Sequence, residues 1–364
     1  MRDRVPRGAA DELEAFRAAT YPEPYPAAWY VLCEADAVRP GQVREVTLCG
    51  ERLAVFRTRD GQVGVLEGFC PHLGARLADG QVVGGTLRCR FHGWRFDTCG
   101  RVVEVPYSPR PPRPSLRARS WQVRDYYGFL CVFRGGPGQE QPTFQLPPLP
   151  EIDTGAMVFR GARDGGTVDM HLVEFAENSV DFGHFPVLHR PMKVPYTDLR
   201  IPWMSIEHEP GWERDPDHWF VIHFSDRATL RVLGRLLPRS SASARLSYLG
   251  PGTIGVFRFT VPRVGRMILL QTHTPEQPLR QRLRFRWYAE PRFPRLMIAW
   301  VVGNWIAQLR EDQRIWERKI YRRRPLLVPG DGPVHALRQW YRQFCPSPPG
   351  GQPDPDGSNR IVET

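Results

Sequence analysis

Two short cysteine–histidine pairs have the residue types and spacing to hold metal together. Cys70-Pro71-His72 is separated by sixteen residues from Cys89-Arg90-Phe91-His92. Each pair mixes a thiolate donor with an imidazole donor, as C-x-H and C-x2-H. Zinc sites built from two cysteines and two histidines usually pair like with like, as C-x2–4-C and H-x3–5-H. A mixed set suits a [2Fe–2S] cluster with two thiolates on one iron and two imidazoles on the other. Neutral imidazoles leave that cluster less negative and easier to reduce, one electron at a time. Pro71, Leu73-Gly74-Ala75 and Gly93-Trp94 supply the turns and apolar cover that cluster loops need. A structural zinc site is the competing reading.

A second concentration lies between Glu177 and His189 and contains Asp181, His184 and His189. Asp181 and His184 are three apart, so a helix would put them on one face. Pro186 would end that helix and let His189 swing back toward the same metal. Two histidines and one carboxylate make the facial triad of an O2-activating Fe2+ site with open positions. Glu311-Asp312, far downstream, offers the carboxylate, and Asp312 is the choice. Glu174 and Glu177 are either supporting groups or helix surface charges. A histidine pair alone is more often core or turn. An upstream one-electron centre, however, calls for an acceptor in the same chain.

These residues need two scaffolds. Residues 29–133 are dense in short strand patterns, at 43–48, 52–57, 63–67, 86–89 and 128–133, broken by glycine turns. They predict a small antiparallel β domain at 28–137, after an N-terminal segment, 1–27. The Pro/Gly-rich stretch 135–150 is the expected boundary. Residues 138–345 then read as a helix at about 170–182, strands at 219–224, 244–249, 255–261, 267–274 and 282–288, and a long helix at about 294–320. That order predicts an α+β chain whose second domain covers an antiparallel sheet with helices. The tail, 346–364, reads as disordered. The aromatic-rich stretch 203–236, with Trp203, Trp212, Trp219, Phe220, Phe224, Leu230, Leu233 and Leu236, reads as sheet core rather than substrate contacts.

Composition fits an ordinary globular protein, with 41% apolar and 24% charged residues over 364. The net charge of +11 comes mostly from dispersed arginine, with no nucleic-acid motif, so nucleic acid is not the expected partner. A basic face could steer an acidic electron donor. Of seven cysteines only Cys70 and Cys89 have a histidine nearby; the others read as buried or incidental thiols. Residues 1–16 lack a signal-peptide apolar run, and no run is long enough to span a bilayer, so the expectation is cytoplasmic.

The cluster loops, together with Leu77-Ala78-Asp79-Gly80, resemble those of the Rieske non-haem iron oxygenases, and the likeness covers almost the whole chain. Ile315-Trp316-Glu317-Arg318-Lys319, Gly330-Asp331-Gly332-Pro333 and Arg338-Gln339-Trp340 resemble the steroid-acting branch, the Neverland-type cholesterol 7-desaturases and the 3-ketosteroid 9α-hydroxylases. The resemblance implies a helix-grip catalytic domain and a head-to-tail homotrimer in which Asp181 links His92 of one subunit to His184 of the next. It implies oxidation of a steroid C–H with O2, by C7 desaturation of cholesterol or by 9α-hydroxylation. No dinucleotide fingerprint follows a strand, so electrons would come from an NAD(P)H-dependent reductase, with or without a ferredoxin. Arg90 departs from the proline expected before Phe-His. The membrane segment of the animal 7-desaturases has no counterpart here. The rival from another class is a Rieske electron carrier without oxygenase activity.

Overall fold

The computed structural model describes residues 10–136, 139 and 141–345. The tail 346–364, and residues 1–9 of the N-terminal segment, lie outside the described residues.

After helix α1 (Ala10–Thr20), eleven strands build the N-terminal part: β1 (Ala28–Glu34), β2 (Val43–Leu48), β3 (Glu51–Arg57), β4 (Val63–Glu67), β5 (Gln81–Val83), β6 (Thr86–Arg88), β7 (Arg95–Phe96), β8 (Val102–Glu104), β9 (Ser120–Trp121), β10 (Val123–Tyr126) and β11 (Phe129–Arg134). They form three antiparallel sheets, ordered β1-β11-β10, β2-β3-β4-β9 and β5-β6-β7-β8. The Cys70–His72 loop follows β4 of the second sheet, and the Cys89–His92 loop joins β6 to β7 of the third. A core of Leu66, Leu77, Leu87 and Phe96 beneath them also includes Cys70 and Cys89.

The short helix α2 (Pro150–Asp153) leads into a nine-stranded antiparallel sheet. Its strands are β12 (Val158–Val168), β13 (Pro191–Lys193), β14 (Arg200–Arg214), β15 (Val221–Val232), β16 (Arg235–Leu236), β17 (Ala242–Leu249), β18 (Ile254–Val261), β19 (Gly265–Gln277) and β20 (Arg280–Ala289). Strand β19 is buried from Met267 to Pro275 without alternation. Both faces are covered, which removes the usual period of two. On one side Trp305 donates to Gln271 at 2.8 Å; on the other Thr274 donates to the Val31 carbonyl of β1 at 2.6 Å.

Three helices cover the sheet: α3 (Leu172–Asn178), α4 (Arg295–Trp316) and α5 (Val334–Arg342). The buried stripe of α4 runs Ile298, Val302, Ile306, Leu309, Asp312, Trp316 at helical spacing. Asp312 therefore occupies a core slot. The C-terminal run seen in the sequence clamps α3: the Arg338 guanidinium forks onto Glu177 at 2.7 and 3.0 Å. Among the described residues, no helix is long and apolar enough to cross a membrane.

Three expectations need correction. The helix at 170–182 stops at Asn178, so Asp181 lies beyond it and shares no helical face with His184. His184 closes a 3-10 turn, Phe182–His184, and Pro186 sits inside a π-helical turn, Phe185–His189, instead of ending a helix. The wider π turn is what brings His189 round. The stretch 203–236 is not uniformly core either: Phe220 and Phe224 are buried, whereas Trp203, Trp219, Leu233 and Leu236 are exposed. Two long strands, β12 and β14, were not legible, because neither shows clean alternation.

Candidate metal centres

The two cysteine–histidine loops share one backbone design. Cys70 N–H donates to the Ala75 carbonyl and Gly74 N–H back to Cys70; Cys89 N–H donates to Trp94 and Gly93 N–H back to Cys89. Each loop closes through a glycine in the left-handed region, φ 74° at Gly74 and 75° at Gly93, which a side chain would strain. The loops therefore present their ligands in matched fashion. Cys70 and Cys89 are buried, unbridged neighbours. Burial, aided by Cys89, pushes the Cys70 thiol up to about 11. The rings of His72 and His92 lie 4.8 Å apart, and Trp94 stacks on His72 at 4.6 Å. His72 Nδ1 is buried without a hydrogen-bond partner. Two buried thiols and an orphaned imidazole nitrogen fit a metal group. Pairs that each mix a thiolate with an imidazole suit a dinuclear cluster with split ligation better than one zinc ion. Leu73, Phe91 and Tyr107 form an exposed apolar rim.

In the second centre the ligand atoms of His184, His189 and Asp312 all lie within 4.8 Å of one another. Hydrogen bonding fixes the His189 tautomer. The Gln308 amide nitrogen donates to the carbonyls of His189 and Pro191, at 3.3 and 3.2 Å. Its oxygen must therefore face His189 Nδ1, 3.2 Å away, which makes Nδ1 the donor. His189 Nε2 then turns its lone pair toward Asp312 Oδ1 at 3.1 Å. Two lone pairs at that distance require a proton or a cation between them. Asp312 Oδ1 is buried and has no hydrogen-bond partner. This donor set fits a divalent iron with open positions.

His184 directs Nδ1 to the Asp181 backbone carbonyl, leaving Nε2 toward Asp312 at 4.0 Å. The Asp181 carboxylate lies 3.8 Å from that Nδ1 and is half exposed, so within the chain the backbone is the acceptor. Burial lowers the His184 pKa. Burial also opposes charge on His189, but the closer Asp312 carboxylate outweighs it and raises the pKa. Glu311, the other downstream carboxylate, is held by Lys193 and by Arg314 at 2.9 Å, which leaves Asp312 as the group facing the histidines.

Sequence reasoning missed the supports. Asn178 reaches His184 Nε2 at 3.4 Å and Asp312 Oδ2 at 3.5 Å. Gln308 lies one helical turn before Asp312, a spacing that could have suggested it. His208, bonded to Asp226 at 2.7 Å, backs the His189 carbonyl at 3.4 Å, and nothing in the sequence pointed to it. A cavity of about 250 Å3 opens beside Asp181, His184 and Asp312 and is lined by Glu174, Glu177, Lys319 and Arg338.

Comparison with known proteins agrees with this arrangement. Residues 28–126 match the Rieske [2Fe-2S] domain, and residues 136–345 match the 3-ketosteroid 9α-hydroxylase C-terminal domain. A cholesterol 7-desaturase of Xenopus laevis is 30% identical over 89% of this chain and 72% of its own length. A probable 3-ketosteroid-9-alpha-monooxygenase oxygenase component of Rhodococcus rhodochrous is 29% identical over 92% and 83%. The crystal structure of dicamba monooxygenase superposes with a TM-score of 0.67 at 21% identity, covering 87% of this chain and 96% of that one. The chain belongs to the Rieske oxygenases, in the branch that carries the 3-ketosteroid 9α-hydroxylase C-terminal domain.

Proposed function

We propose that this chain oxidises a C–H bond of an apolar steroid, with C7 desaturation of cholesterol as the leading reaction. In this reading Cys70, His72, Cys89 and His92 hold the [2Fe–2S] cluster, within a domain at 28–137. His184, His189 and Asp312 hold a mononuclear Fe2+, within a catalytic domain at 138–345. The observation that carries it is the closure of His184, His189 and Asp312 to within 4.8 Å, with an unpartnered Asp312 oxygen among them. When bound, the cluster supplies single electrons and the mononuclear iron supplies O2 activation.

The chain's own residues set the conditions. Gln308 holds the His189 ring with Nε2 inward, and the Asp181 carbonyl does the same for His184. Asn178 bridges His184 and Asp312 and keeps the carboxylate from swinging out. Asp181 would accept an imidazole N–H from His92 of another copy, a reading supported by its half-exposed carboxylate beside the centre. That role belongs with a head-to-tail homotrimer. Electrons then come from a separate NAD(P)H-dependent reductase, directly or through a ferredoxin, and the chain works in the cytoplasm. Phe185 packs against His184 and His189 and stacks on Phe224, which makes that side of the site apolar and suits an apolar skeleton.

The match of residues 136–345 favours 3-ketosteroid 9α-hydroxylation as the second reading. The deciding experiment supplies purified protein with a surrogate reductase, NADH and O2, and offers cholesterol and a 3-ketosteroid in parallel. Mass spectrometry showing loss of two hydrogens from cholesterol supports desaturation. Gain of one oxygen on the ketosteroid moves the chain to hydroxylation. No product from either, with both centres loaded, refutes the steroid substrate.

A further inference from the structure

The free end of the β14–β15 hairpin is unusual for a water-facing surface. None of the fifteen residues of β14 is fully buried, and its first residues run on beside the β15–β16 turn. There Trp203, Leu233, Leu236 and Leu237 are all exposed, Leu233 to 78%. They are contiguous: the Leu233 N–H donates to the Trp203 carbonyl at 2.8 Å, and both residues border one shallow groove. Single exposed apolar residues need no explanation, but a contiguous patch does.

Backbone geometry adds an independent observation. Arg231 pairs with Leu236 and Val232 with Arg235, so Leu233-Gly234 is a two-residue hairpin turn. Both residues are left-handed, φ 48° and 79°, the I′ geometry that favours Asn-Gly. A leucine there is disfavoured by its backbone and by its exposure to water. Asparagine would relieve both. The position makes sense if the side chain is buried against something outside the chain.

Charge indicates what that is. Segments 199–206 and 230–240 carry Arg200, Arg231, Arg235 and Arg239; Glu207 pairs with Arg231, and the tip itself holds no carboxylate. An apolar tip with an aromatic residue, ringed by arginine, complements a lipid surface whose headgroups are anionic. We propose that this hairpin tip docks the protein onto anionic phospholipid bilayers, with Trp203, Leu233 and Leu236 entering the interface and Arg235 and Arg239 meeting phosphates. Docking there would bring the chain to the phase where apolar substrates accumulate, yet the inference stands whichever substrate is turned over.

The test is co-sedimentation of the full-length holoenzyme with phosphatidylcholine vesicles, with and without phosphatidylglycerol. Binding should require phosphatidylglycerol and weaken with added salt. Leu233→Asn should lower vesicle affinity about tenfold, as expected for one leucine withdrawn from an apolar phase, while its melting temperature holds or rises. Arg235→Glu should weaken binding to anionic vesicles through charge. Wild-type protein that stays in the supernatant at low salt overturns the proposal, as does Leu233→Asn binding like wild type. Light scattering gives the remaining arm. If Leu233→Asn changes the oligomeric state, the tip is a contact between copies and the bilayer reading is wrong.

Discussion

Replacing Gln308 by leucine should detach iron from the second centre while leaving the cluster intact. Gln308 is 9% exposed and makes three bonds, accepting from His189 Nδ1 and donating to the carbonyls of His189 and Pro191. Leucine removes the acceptor that fixes the ring, so Nε2 is no longer held toward Asp312. Loss of such a support typically weakens metal affinity by about 10–100-fold, or about 1.4–2.7 kcal/mol. The Pro191 carbonyl also loses its donor while His208 still reaches the His189 carbonyl, at a stability cost of roughly 1–3 kcal/mol in all. Gln308→Glu separates the two effects. A carboxylate still accepts from Nδ1–H but cannot donate to the carbonyls, so stability should fall while iron affinity stays within about threefold of wild type. Affinity is read by anaerobic competition with a chelator, and the visible absorption of the cluster reports that the other centre is unchanged. Wild-type iron affinity in Gln308→Leu, or an equal loss in Gln308→Glu, would refute the claim that ring orientation is the cause.

Asp181→Asn should leave both metal centres loaded and collapse turnover, because the charged carboxylate offered to His92 of another copy becomes a neutral amide that is an acceptor at only one of its two ends; unchanged turnover at full metal content removes the bridging role. Gly332→Ala should lower the melting temperature and disturb the Asp181 loop, since a Cβ would meet the Val180 carbonyl oxygen at 2.0 Å and φ is 79°. Gly330→Ala, with φ 101° but open space around it, should cost less, and equal melting shifts would rule out the clash. Iron loading should weaken as pH falls into the histidine range, because the Asp312 carboxylate holds the His189 pKa above its ordinary value and the proton competes with the metal. The linkage without iron runs the other way. The stability gained from the His189–Asp312 pair is present at low pH and lost as pH rises through the raised pKa. A loading curve flat across that range would contradict the role given to Asp312.

The two cysteine–histidine motifs were legible because their chemistry is local. Cys-x-His and Cys-x2-His place unlike donors within single loops, and the glycines at 74 and 93 mark the turns that aim them. The strands at 43–48 and 63–67 were legible for a similar reason, being short, β-branched and bounded by turns. His184 and His189 could be paired from spacing, but the local path between them could not. A π-helical turn containing Pro186 depends on packing against β14 and α4, not on propensity. Asp312 was chosen over its neighbour Glu311 without a physical ground in the sequence. Lys193, 118 residues upstream of Glu311, supplies that ground by holding the Glu311 carboxylate and leaving Asp312 facing the histidines. Gln308 and Asn178 acquire their roles the same way. The exposed tip was misread because apolar residues on long strands normally point into a core, and only the register of β14, β15 and β16 places these beyond the sheet's cover. Sequence alone determined which donor atoms the chain carries and the short-range turns that group them. Tertiary structure decided which distant groups meet, because burial and hydrogen-bond satisfaction depend on neighbours that the chain supplies from far along its length.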